Sequence, residues 1–78
     1  MLSCKLDNIK DAQDLVWFCT KFNEDIDVLY QRQVIDGKSV LGVMSLIGNT
    51  VTVEILTNNE DIKETFEKEF TKFIKQGY

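Results

Sequence analysis

Residues 38–46 read Lys38-Ser39-Val40-Leu41-Gly42-Val43-Met44-Ser45-Leu46. Ser39 stands ahead of a compact apolar run, Val40, Leu41, Val43, Met44, Leu46 and Ile47. Serine in that place is a strong helix N-cap, because its hydroxyl can accept from a free N–H of the first turn. The run is too crowded for one face of a helix to bury every member, so some of its apolar side chains must face outward. Gly37 breaks the chain before it and Gly48-Asn49 marks a turn after it. A short amphipathic helix between two strands is the expectation.

Working outward, Gln33–Asp36 reads as a short strand carrying Val34 and Ile35, with Arg32 near a turn. Before it, Asp25–Gln31 alternates through Ile26, Val28 and Tyr30. After the central stretch, Thr50–Thr57 alternates with Val51, Val53 and Ile55 inward, and residues 2–7 alternate with Leu2, Cys4 and Leu6 on one face. Asp7 or Asn8 can cap a helix from about Ile9 to Phe22, whose inner stripe is Ala12, Leu15, Phe18, Cys19 and Phe22 at about 100° per residue. Val16 sits on the shoulder of that stripe, and Trp17 lies nearly opposite its centre. Asn58 or Asn59 caps a last helix with Glu60 and Asp61 in its first turn, where the dipole favours anions. Ile62, Phe66, Phe70, Phe73 and Ile74 form its stripe, and Gly77 is a suitable stop.

The order is therefore βαββαβα, an α+β domain: a four-stranded antiparallel sheet with three helices on one face. Alternating strands suit a sheet that meets helices on one side and water on the other. At 78 residues one domain, residues 1–78, is expected.

Composition removes several kinds of chemistry. With no histidine there is no Ser-His-Asp or Cys-His nucleophile, no imidazole shuttle and no His-ligated metal. Thirteen acidic against nine basic residues, net −4, argue against direct nucleic-acid binding, which needs a basic face. Cys4 and Cys19 lie on apolar patterns in no zinc spacing, so buried packing residues in a reduced, cytoplasmic setting are expected. No cofactor or metal is implied. No signal peptide or membrane span is expected, since the longest apolar stretch, around residues 40–47, is too short to cross a bilayer. Trp17 is the exception to the pattern: tryptophan is the residue most enriched in interface hot spots, and this one is placed among polar neighbours.

The Lys38–Leu46 segment closely resembles the K-S-[IV]-[ML]-G-[VL]-[ML]-S-L segment of HPr, the small phosphocarrier family of the bacterial sugar phosphotransferase system. Lys21-Phe22 is similar to the K-[FY] that ends the family's first helix, and Asp25–Val28 to its second strand. Thr50–Ile55 matches after a deletion of roughly two residues. The resemblance implies the HPr-like open-faced sandwich.

The family's G-[IL]-H-A-R-P-A segment, read without gaps, falls on Leu6–Ala12, where only Ala12 is identical. Asn8 then occupies the expected phosphohistidine position, Lys10 replaces an arginine and Asp11 a proline. Lysine keeps the charge but loses the planar two-point grip on phosphate. Asp11 places a carboxylate where a phosphate would rest. No catalytic residue is expected, and the protein is not expected to be an enzyme.

Ser39 corresponds to the family's regulatory serine, so the resemblance implies phosphorylation by HPr kinase and contact with a transcriptional regulator or other protein. The family's partner-binding positions fall on Gln13, Val16, Trp17, Thr20, Val40, Leu41 and Met44. The closest implied role is that of the histidine-less branch, catabolite repression HPr. The alternatives are a strict phosphocarrier using Asp7 or Asp11, and a degenerate adaptor that self-associates without phosphorylation. A monomer or weak homo-oligomer is expected.

Overall fold

The computed structural model describes residues 2–76 of the chain. Its elements are β1 (Leu2–Lys5), α1 (Ile9–Thr20), β2 (Ile26–Tyr30), β3 (Gln33–Asp36), α2 (Val40–Met44), β4 (Thr50–Ile55) and α3 (Glu60–Gln76). The expected order βαββαβα and the α+β class are those observed. The four strands make one antiparallel sheet in the order β1-β4-β2-β3. Gly77, expected as the stop of α3, lies outside the described residues.

Alternation along each strand sends Cys4, Ile26, Val28, Val51, Val53 and Ile55 to the helix side. There they meet Ala12, Leu15, Phe18 and Cys19 of α1, Val43 of α2, and Phe66, Phe70 and Phe73 of α3. Phe18 is the hub of this layer, with ring centroids 5.0–5.6 Å from those of Phe22, Phe66, Phe70 and Phe73. Such tilted and offset pairs add to the burial of apolar area.

Each helix begins where a side chain can serve its free N–H groups. Asn8 Oδ1 accepts from Asp11 N at 2.9 Å, and Asn59 Oδ1 accepts from Asp61 N at 2.9 Å. Thus Asn8 and Asn59, rather than Asp7 and Asn58, are the caps. α1 ends at Thr20, two residues short of the expected Phe22, with Lys21 as its C-cap.

Two side chains depart from their expected faces. Val16, on the shoulder of α1, is only 5% exposed because α2 packs along that flank. Ile74 is 47% exposed. At 3.6 residues per turn it lies roughly 80° from Phe66, the middle of the α3 stripe, and so turns out of the core.

The β2–β3 hairpin turns through Gln31-Arg32, with Gln31 in the left-handed conformation (φ 54°). On the open face of the sheet, Glu54, Asp27 and Asp36 sit side by side on three adjacent strands. Like charges directly opposite one another destabilise a sheet. Asp27 is the middle member, so Asp27→Asn is expected to stabilise the domain by about 0.5 kcal/mol. Urea unfolding would show the gain at low salt and its shrinkage at high salt; equal stability at both would contradict it.

A candidate partner-binding face beside Ser39

Ser39 is the N-cap of α2. Its φ of −97° and ψ of 109° keep it outside the helix, and its Oγ accepts from Gly42 N at 3.2 Å. The loop before it is pinned twice to Asp36, whose carbonyl accepts from Ser39 N at 3.0 Å and whose Oδ1 accepts from Lys38 N at 2.9 Å. Gly42 is required by a close approach: a Cβ there would lie 2.7 Å from Ile35 Cγ2. α2 is thereby held against β3 while Ser39 remains half-exposed.

The crowded run divides as its composition demands. Val43 and Leu46 are buried, whereas Val40 and Leu41 are 42% and 80% exposed. Across from them on α1, Trp17 is 71% exposed. Between the two helices runs a groove of about 480 Å³, lined by Gln13, Val16, Trp17, Thr20, Lys38 and Val40. Five of the seven residues expected at a partner surface, Gln13, Val16, Trp17, Thr20 and Val40, are gathered there. Val16 is its floor, not part of the exposed rim. Leu41 stands free beside the groove, and Met44 is half-buried against the core.

Lys38 and Ile9 were not legible as members of this surface. Ile9 is 54% exposed, one turn before Gln13 on the same side of α1. Lys38 reaches sixteen residues back to donate from Nζ to the Phe22 carbonyl oxygen at 2.6 Å. Only the packing of the Ser39 loop against the end of α1 makes that contact.

At the start of α1 the polar side chains are engaged by main-chain N–H groups and by one another. Asn8 Oδ1 is engaged by Asp11 N, Asp11 Oδ2 accepts from Asp7 N at 2.8 Å, and Lys10 Nζ donates to Asp14 Oδ2 at 2.7 Å. The result is a well-capped helix end bearing carboxylates. Among the described residues, no group of three ligating side chains is placed to hold a metal ion. No helix among them is long and apolar enough to cross a membrane.

The thiols are built into the core. Burial, reinforced by the nearby Asp11 carboxylate, pushes Cys4 up to about 11. Burial pushes Cys19 up to about 12, partly offset by the charge of Lys38. Both stay protonated near neutrality, which makes them poor nucleophiles.

Three solved structures share this architecture. HPr-C-His from Thermoanaerobacter tengcongensis is 24% identical, with a TM-score of 0.71 over 97% of this chain and 91% of that one. The histidine-containing phosphocarrier protein of Mycoplasma is 19% identical, with a TM-score of 0.64 over 97% and 93%. Crh, the Bacillus subtilis catabolite repression protein, is 20% identical, with a TM-score of 0.64 over 99% and 87%; its structure is a domain-swapped, intertwined dimer. At these identities the likeness establishes the fold. The sequence itself carries the family assignment, because the family model described as the PTS HPr component phosphorylation site matches residues 8–76. The chain belongs to the HPr family of the phosphotransferase system.

Proposed function

We propose that this chain is a regulatory, partner-binding HPr-family protein, phosphorylated on Ser39 by a serine kinase, and not a phosphoryl relay. The observation that supports this most directly is a half-exposed serine between two residues that line an apolar groove, in a chain with no histidine. Asn8 takes the place of the reactive histidine, and its amide serves only to cap α1.

The kinase supplies the chemistry. Its base removes the Ser39 Oγ proton as Oγ bonds to the γ-phosphorus of ATP, and the bond from that phosphorus to the departing ADP breaks. The product carries about two more negative charges and three strong acceptor oxygens. Trp17, with Val40 and Leu41, supplies the apolar anchor for a protein partner, here a kinase and a transcriptional regulator or similar protein. Gln13, Thr20 and Met44 fill out the contact above Val16. The protein works in the cytoplasm as a monomer or weak homo-oligomer, without metal or cofactor and without contacting nucleic acid or membrane.

A second reading rests on the 80% exposure of Leu41 and on the dimer formed by Crh. In it the same face joins two copies of this chain in an adaptor that is never phosphorylated. Incubation with HPr kinase and ATP, followed by intact mass, separates the two. One phosphoryl group in the parent and none in Ser39→Ala is expected; an unmodified parent would overturn the regulatory reading.

A further inference from the structure

Lys38 joins the Ser39 loop to the end of α1. The Phe22 carbonyl that it holds lies just past the C-cap, where main-chain oxygens have no helical partner. Lys38 is also the only charged residue among the six that line the groove, next to Trp17, Thr20 and Val40. The backbone of residues 38 and 39 is fixed by its two bonds to Asp36, so a response to modification must come from side chains.

A carbonyl is a neutral acceptor, whereas phosphoserine offers about two negative charges on three oxygens. The ammonium already makes the bond to the carbonyl charge-assisted, and a phosphoryl oxygen adds to it the Coulomb attraction of an opposite charge. Ser39 is the next residue along the chain, and the four-carbon stem of Lys38 is flexible. We infer that Lys38 is a positioning residue with two stations, the Phe22 carbonyl when Ser39 is free and a phosphoryl oxygen when Ser39 is phosphorylated. Modification then releases the end of α1 and reshapes the groove at Trp17. Only hydrogen bonds are exchanged in this step. The inference rests on Ser39 being the phosphoacceptor.

A chain synthesised with phosphoserine at position 39 tests it without relying on any kinase. Two readouts are needed. By phosphorus NMR titration, Lys38→Met is expected to raise the second pKa of the phosphate by about 0.5 or more, because the cation that favours the dianion is gone. By amide exchange, the phosphate is expected to speed Lys21 and Phe22, whose N–H groups bond to the carbonyls of Phe18 and Cys19, by roughly threefold or more in the parent chain. Unmodified Lys38→Met should already exchange fast there. An unchanged phosphate pKa in Lys38→Met, or unchanged exchange in the phosphorylated parent, overturns the inference. Should Lys38→Met fail to fold, the exchange rates of the parent with and without phosphate decide alone. Failure of Ser39 as the acceptor would show separately, as a lack of kinase labelling, and leaves these two readouts intact.

Discussion

Phe18→Ala is expected to destabilise the domain by about 3–5 kcal/mol, the range for emptying a buried aromatic site. Phe18 is 1% exposed and touches the rings of Phe22, Phe66, Phe70 and Phe73. Its loss opens a void between α1 and α3 that neither can close, because both are held by the sheet beneath them. Four ring contacts disappear together with the buried area. For a chain of this length a total stability of roughly 4–12 kcal/mol is ordinary, so the loss takes a large share of it and reaches unfolding at the lower end of that range. Urea or thermal unfolding followed by circular dichroism measures the loss. A cost below about 1 kcal/mol would mean that the aromatic cluster is not what joins the two helices.

The second large effect is an absence. Incubation with enzyme I and phosphoenolpyruvate is expected to leave the protein unlabelled. A phosphohistidine relay needs an imidazole, and this sequence has none. Asn8 Oδ1 is committed to Asp11 N, and an amide offers no lone pair basic enough to take a phosphoryl group. An acyl phosphate on Asp7 or Asp11 would have to form beside the Asp14 carboxylate. The nearby cations are lysines, Lys10 at 2.7 Å from Asp14 and Lys5 at 3.7 Å from Asp7, and the one arginine, Arg32, is in the β2–β3 turn. Nothing there offers a planar grip on phosphate. A stable label sensitive to hydroxylamine would place phosphate on a carboxylate and contradict this account.

Much of the fold could be read from spacing. The alternation of Val51, Val53 and Ile55, and the pattern of Phe66, Phe70 and Phe73, name the inward faces because a strand repeats every two residues and a helix every 3.6. Ile74 shows the limit of that reading: a long stripe drifts around the helix, and its last member falls off the buried side. Val16 shows another. Its angle on α1 marks it as borderline, and only the docking of α2 buries it. The strand order β1-β4-β2-β3 is likewise set by how the helices cross over, which no local window contains.

The surface beside Ser39 was partly legible for a similar reason. Trp17, Val40 and Leu41 stand out because each breaks the burial pattern of its own helix, and the structure brings them to one side. Lys38 does not stand out, since a lysine in a loop is ordinary until its sixteen-residue reach to Phe22 is seen. The Lys38–Leu46 segment marks the family without helping here, as it does not distinguish the residues that support the serine from those that face a partner.

Under the proposed function, phosphate belongs on Ser39 and nowhere on α1. Intact mass of one preparation, split between enzyme I with phosphoenolpyruvate and HPr kinase with ATP, tests it most directly, with fragmentation to place any added group. No addition from the first donor and a single phosphoryl on Ser39 from the second are expected. Phosphate delivered by enzyme I, or by the kinase to any other residue, would contradict it.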